Sequence, residues 1–295
     1  MAVEARRRSG RERLAPGGGG LGEAVSLGAT QVLLIAWGVL VVFPFLWMIY
    51  SSFKTDREIF ASPWKLPASP QLSNFARAWT QASIGHYFLN SLLVVIPALV
   101  LTLLLSSMTS YVLARYEFGG ARAIYYSFLL GLTFPVFLAI VPLFFVVQGL
   151  GLLGSIPGLI LVYVAYSLPF SVFFLTSFFR TLPTEIAESG MIDGCGHFGV
   201  FFRIMLPLAS PGLVSIGIFN FLGMWNQYLL PLVLNPNQSN FVLAQGLAYL
   251  SVSQGYQGDW SALFAGLTIA MLPVLAVYAL LQGRLQSGLT VGAIR

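Results

Sequence analysis

From Ala123 to Phe179 the chain carries no Asp, Glu, Lys or Arg. The stretch is apolar, interrupted only by prolines and by the turn-like sequence GLGLLGS at Gly149–Ser155. A helix of about 20 apolar residues crosses a bilayer, so this stretch holds two spans in succession. Across the 295 residues only 8% are charged, against about 25% in a soluble domain. No soluble core hides that much apolar surface, and the fold class is an all-α integral membrane protein. Six spans are expected, at about 27–50, 88–113, 123–148, 156–178, 205–231 and 261–283.

The tail MAVEARRRSGRERLAPGGGG is basic and then glycine-rich, with nothing to bury. Residues 1–24 read as a disordered tail. The uncharged run Ala24–Phe53 is too long for a signal-peptide core, and no small-residue cleavage site follows it, so a retained first span is expected. Residues 25–284 form the six-span unit, with its core from about 88, and 285–295 form a C-terminal tail. Six spans bring both termini to one face. That face carries Arg6, Arg7, Arg8, Arg11, Arg13, Arg115, Arg122, Arg180, Arg203, Arg284 and Arg295, against Lys54, Arg57, Lys65 and Arg77 on the other. Positive residues favour the cytoplasmic side, so both termini are expected there, in a multi-pass inner or plasma membrane protein. Preference for Arg over Lys is the composition of a high-GC bacterium. The scattered basic residues mark span ends and make no nucleic-acid surface.

Between spans four and five lies a polar segment, EIAESGMIDGCGHFGVFFRIMLPL (Glu185–Leu208). Thr184 suits an N-cap, which sets Glu185 and Glu188 near a positive helix end. Ile186, Met191 and Ile192 supply apolar positions, and Asp193-Gly194 supplies a stop and a left-handed turn. The expected structure is helix, glycine turn, helix, at the membrane surface. A short amphipathic helix pair of this kind suits a cleft on another protein, although an interfacial connector is the other reading.

The segment resembles the cytoplasmic EAA loop of ABC importer permeases, with the loop at 183–204. Glu188-Ser189-Gly190 stand at the pattern's E-A-A, Asp193-Gly194-Cys195 at D-G-A, and Leu206-Pro207 and Pro211 close it. ARYEFGGAR (Ala114–Arg122), IVPLFFVVQGLGLLGS (Ile140–Ser155), FLGMWNQYLLPLVL (Phe221–Leu234) and GLTVGAIR (Gly288–Arg295) resemble further motifs of the carbohydrate-uptake branch, in the family's order. The nearest subunit type is the six-span permease of maltose-type importers. Gln227 stands where that branch usually has Asp.

This resemblance implies a permease that pairs with a second permease, a dimer of ABC ATPase subunits and an external substrate-binding protein, lipoprotein or periplasmic. It implies ATPase docking through Glu185, Glu188, Ser189, Gly190, Asp193, Gly194 and Cys195, and tail contacts through Thr290, Gly292 and Arg295. It further implies a sugar or oligosaccharide substrate, with Asn220, Trp225, Asn226, Gln227 and Tyr228 as path residues. Asn and Gln that merely bond neighbouring helices are the alternative reading. The outer segment Asn235–Trp260 is polar and glycine-dotted, and is expected either to meet the binding protein or to be solvated.

Neither lysine, in SFKT (Lys54) or PWKL (Lys65), follows a phosphate-cradling glycine loop. The chain is therefore expected to be no enzyme and to bind no cofactor, with ATP and Mg held by partner subunits. One cysteine excludes an internal disulfide and a multi-cysteine metal site, and no metal is expected. Proton-coupled transport generally uses an ionisable group inside the membrane, and the spans offer none. An ABC permease for a non-sugar solute and a sodium-coupled transporter are the remaining alternatives. His86 and His197 fall on opposite faces and make no catalytic constellation.

Overall fold

The computed structural model describes residues 21–253 and 258–290. These are helical, with no strand among the described residues. Residues 1–20 of the tail expected at 1–24 lie outside them. Helix α1 (Leu21–Ser51) begins before the expected boundary at 24, and from Leu27 it is long and apolar enough to cross a membrane.

Two short helices follow, α2 (Asp56–Ala61) and α3 (Ser73–Thr80). Then come α4 (Ile84–Arg115), α5 (Ala121–Thr133), α6 (Val136–Gly149) and α7 (Ile156–Thr181). Helices α4 and α7 form the most extensive pair in the molecule. Their contact is lined by small polar residues, Thr102, Ser106, Ser107 and Ser110 on α4 and Ser167, Ser171 and Thr176 on α7, all buried. Small side chains let two backbones approach closely where lipid offers no hydrophobic drive. Hydroxyls along this seam bond to backbone: Ser106 Oγ donates to Thr102 O (2.6 Å), and Ser110 Oγ crosses to Val172 O (3.1 Å).

Two of the six expected spans are not single helices. Helices α5 and α6 meet at a bend of 107°. Pro135 forces the cause: Phe134 is extended (φ −79°, ψ 120°), since the residue before proline is driven out of the helical region. The expected span 205–231 is also broken. The run His197–Leu208 meets α11 (Ser210–Trp225) at 72°, with Pro211 in the first turn of α11, where its missing N–H is harmless. Helix α11 stops at Trp225 because Asn226 turns back on it; its backbone N–H (3.2 Å) and Nδ2 (2.9 Å) both donate to Leu222 O. A separate α12 (Leu229–Leu234) follows.

The segment Asn235–Trp260 is not simply a solvated loop. Eleven of its residues form α13 (Leu243–Ser253), whose Leu243, Leu247 and Leu250 are buried against the core. The i, i+4, i+7 spacing of these leucines is a helical stripe, hidden in sequence by the surrounding polar residues. Ser91 Oγ accepts from Leu243 N–H (2.7 Å), which fixes the start of α13 to α4. Helix α14 (Trp260–Thr290) continues past the expected boundary at 284.

The core lies in two parts. One gathers Tyr87, Val94, Tyr163, Phe221, Trp225, Leu230 and Leu243 around the beginnings of α4 and α7. The other gathers Tyr111, Leu175, Phe179, Val200, Phe201, Met205 and Ile216 where those helices end. The polar segment after α7 is thus built into the second core.

Candidate functional site

The polar segment forms α8 (Thr184–Ile192), a turn, and α9 (His197–Val200), which runs through a π-helical turn (Phe201–Met205) into the short α10 (Leu206–Leu208). The expected helix–turn–helix is present, but Thr184 is not its N-cap. Pro183 holds that position in extended geometry (φ −61°, ψ 135°), and no side chain caps α8. Thr184 Oγ1 instead accepts from Arg115 Nη1 (2.8 Å). Arg115 Nη2 also donates to Phe179 O (2.9 Å) and Leu182 O (2.6 Å). These carbonyls belong to the end of α7, where a helix leaves acceptors unpaired and favours a cation. Arg115 thereby ties the ends of α4 and α7 to the start of α8. Sequence reading took it only as an orientation charge.

The turn closes as a Schellman motif. Gly194 has φ +85°, Cys195 N–H donates to Gly190 O (3.0 Å), and Gly194 N–H donates to Met191 O (3.1 Å). Gly190 is buried, and a Cβ there would lie 2.5 Å from Ile204 Cδ1. The glycine standing in place of alanine therefore lets α8 lie close on the returning helix. Ala187 and Gly190 make the inner face, whereas Ile192, expected among the packing residues, is 86% exposed. Phe198 is 74% exposed. Around them Glu185, Glu188, Ser189 and Asp193 are exposed, and Cys195 is half-buried. Ile192 and Phe198 are thus the most exposed large apolar side chains of the outer face, among three acids. His197 Nδ1 pairs with Tyr116 Oη (2.8 Å), and Tyr111 packs on Tyr116, Phe179 and Phe201. This aromatic column ties the segment to α4 and α7.

The five expected path residues do not form one group. Asn220 and Gln227 share a cavity of about 290 Å³ with Tyr163, Tyr166, Ser167 and Phe170 of α7, beside the α5–α6 bend. Asn220 Nδ2 donates to Ser171 Oγ (2.8 Å). Tyr163 is 2% exposed and its hydroxyl has no hydrogen-bond partner among the described residues. A buried hydroxyl left unpaired is destabilising by about 1–3 kcal/mol. Sequence reading missed Tyr163, whose apolar surroundings resemble any span. Trp225 is instead a core residue: it stacks on Phe221, and Nε1 donates to Ala270 O (3.1 Å). Asn226 lies on a second cavity, between α11, α13 and α14. Tyr228 is 40% exposed, ahead of α12. Thr290 ends α14, and its side chain, Gly292 and Arg295 lie outside the described residues.

At the other end of the bundle, distant parts of the chain are clamped. Arg77 Nε and Nη2 donate to the two carboxylate oxygens of Asp259 (2.8 and 3.1 Å). Asp56 accepts from Ser261 N–H (2.7 Å), and His86 Nε2 pairs with Ser239 O (2.6 Å). Lys54 is buried, its Nζ donating to Ser62 O and Pro63 O. Burial lowers its pKa, against the opposing charge of Glu58. Burial raises the Asp259 carboxyl, but the Arg77 hydrogen bonds, the Ala262 N–H and the guanidinium charge outweigh it and hold it below the usual range. A depressed carboxylate stabilises above its unfolded value, about 3.9, and the contribution disappears as pH falls through the folded value. The Arg77–Asp259 clamp is therefore expected to be intact at neutral pH and to open only below about pH 4. Asp259→Asn should lower stability by about 1 kcal/mol at pH 7 and by progressively less as pH falls below about 4, measurable as thermal midpoints across that range.

These features define a polytopic helical membrane protein whose polar segment is fused to the ends of its spans, the architecture of a transport permease. The chain belongs to the family of binding-protein-dependent transport system inner membrane components, whose sequence model matches residues 87–291. It is the permease component of an ABC importer. It is 53% identical to the diacetylchitobiose uptake system permease protein NgcG of Streptomyces coelicolor, over 90% of this chain and 88% of that one. It is 34% identical to the sulfoquinovosyl glycerol transport system permease protein SmoH of Agrobacterium fabrum, over 88% and 92%. The fold matches a chain in the crystal structure of a bacterial ABC transporter involved in the import of the acidic polysaccharide alginate, with TM-score 0.81, 18% identity, and coverage of 89% and 97%.

Proposed function

We propose that this chain is the membrane permease of an ATP-driven importer for an N-acetylated oligosaccharide of the diacetylchitobiose class. The observation that carries the coupling half is the outer face of the polar segment, Ile192 and Phe198 among Glu185, Glu188 and Asp193. Its returning helix is embedded in the core with α4 and α7. A nucleotide-dependent ATPase dimer that seats this face in a cleft moves α8 and α9, and Arg115 and the aromatic column transmit the motion to the spans. ATP and Mg stay in those ATPase subunits; this chain binds no nucleotide. A second permease completes the pathway, and an external binding protein delivers the sugar to the face opposite α8. The C-terminal residues Thr290, Gly292 and Arg295 add a further ATPase contact. Both termini face the cytoplasm of a bacterial inner membrane.

The sugar half rests on the 53% identity to the diacetylchitobiose permease and on the cavity between α7 and α11. Its aromatic faces (Tyr163, Tyr166, Phe170) and polar groups (Ser167, Asn220, Gln227) are the two surfaces a sugar needs.

Gly194→Pro tests the coupling. Proline fixes φ near −65°, far from the +85° of Gly194, and so destroys the turn without touching a span. ATP-dependent sugar uptake in vesicles is expected to fall at least tenfold, with the amount of inserted protein unchanged. Uptake at the wild-type level would mean that this turn couples nothing.

A further inference from the structure

The most voluminous cavity described, about 740 Å³, shares Arg115 and Tyr116 with the anchoring of the polar segment, but its other charged walls have no role there. It sits where α4 and α7 end and α5 begins, and is lined by Arg115, Arg122, Arg180, Tyr116, Tyr125 and Glu117 among others. Three guanidiniums face one carboxylate. Neither Arg122 nor Arg180 forms an ion pair among the described residues. Arg180 lies over the Tyr125 ring at 5.5 Å, which holds it at the cavity wall. Arg115 spends its Nη donors on the end of α7 and on Thr184 of α8. Three guanidiniums against the single carboxylate of Glu117 leave the cavity wall with an excess of positive charge.

Its depth narrows the ligand. The uncharged run Ala123–Phe179 is bounded by Arg122 and Arg180 themselves, so the cavity lies at the level where hydrocarbon gives way to headgroups. Beside it α5 buries none of its residues. Tyr126 and Leu130, one turn apart, are 57% and 68% exposed, and Phe118 is 42% exposed. A cationic pocket continuous with a bare apolar helix fits a molecule that is anionic at one end and aliphatic at the other. Basic pockets between membrane helices recognise lipid headgroups on this basis. We propose that the cavity binds the phosphate of an anionic phospholipid headgroup, held by Arg122 and Arg180, with an acyl chain along α5. A free phosphate has the same headgroup chemistry but no use for the apolar strip.

The test uses the purified transporter complex in nanodiscs of equal phosphatidylglycerol and phosphatidylcholine, with the lipid retained after detergent exchange measured by mass spectrometry. Wild type should retain phosphatidylglycerol selectively, and the double variant Arg122→Gln, Arg180→Gln should lose at least fivefold of that selectivity. Should the double variant fail to assemble, Glu117→Gln decides, because removing the one acid should raise selectivity by up to about fivefold. Unchanged selectivity in the assembled double variant or in Glu117→Gln overturns the proposal. Displacement of the retained lipid by millimolar inorganic phosphate assigns the site to a free anion and also overturns it. So does loss of the ATPase subunits from the double variant with lipid selectivity unaltered, since the cavity is then a protein interface.

Discussion

Replacing Ile192 and Phe198 together by serine is expected to reduce ATP-dependent uptake by about a thousandfold while leaving the permease inserted and folded. Both side chains are exposed, at 86% and 74%, so their loss removes nothing from the core. Ile192 closes α8 and Phe198 opens α9, on either side of the Gly194 turn. They are therefore the leading residues of the segment, where a partner's cleft desolvates them most. Central apolar anchors of an interface contribute about 2 kcal/mol or more each, and about 4 kcal/mol is three decades in affinity. The neighbouring acids should matter less. Neutralising Glu185, Glu188 and Asp193 alters association rate and register more than affinity. The comparison is between co-purified ATPase subunits and uptake rate for the two variant sets. Equal effects would move the weight of docking from the apolar pair to the acids.

Gly246→Leu is expected to leave little folded protein. A Cβ at this position would lie 2.1 Å from Tyr87 Cδ2. Tyr87 is 3% exposed, packed against Phe241 and beside His86, so its ring has nowhere to go. Overpacking a core is destabilising by about 1–3 kcal/mol when neighbours adjust. Here the obstacle is a ring on one helix and backbone on the other, so α13 must leave α4. With it go the Ser91–Leu243 bond and the pairing of Gln245 with Asn235. Gly246→Ala should already lower the thermal midpoint of the purified complex by several degrees. A variant as stable as wild type would mean that α13 is not seated on α4.

The long uncharged runs made the membrane class, the helical fold and most spans readable, because burial in lipid leaves a composition that little else imitates. The glycine turn at Gly194 was equally legible, since only glycine suits a left-handed C′ position there. What escaped was structure decided by contacts distant in sequence. The residues GLGLLGS and the prolines at 135 and 142 advertise interruption, but nothing local says that α5 and α6 fold back by 107°. Helix α13 hid because its stripe is three leucines long, between polar ends. Among the candidate residues, Asn220 and Gln227 share a wall with Tyr163, while Trp225, between them in sequence, turns into the core. An amide or an indole announces its chemistry but not its side of the helix. Glycine has low helix propensity, and the proximity of Ile204 explains why Gly190 nevertheless stands in α8.

The central claim is that force enters this permease through α8 and α9 from an ATPase and moves an oligosaccharide. Proteoliposomes of the complete complex, with binding protein outside and labelled diacetylchitobiose as substrate, test it most directly. Uptake is expected to require internal ATP, to survive ionophores that collapse proton and sodium gradients, and to be lost in the Ile192→Ser, Phe198→Ser variant. Uptake driven by an ion gradient without ATP, or ATP-driven uptake undiminished in that variant, would contradict it.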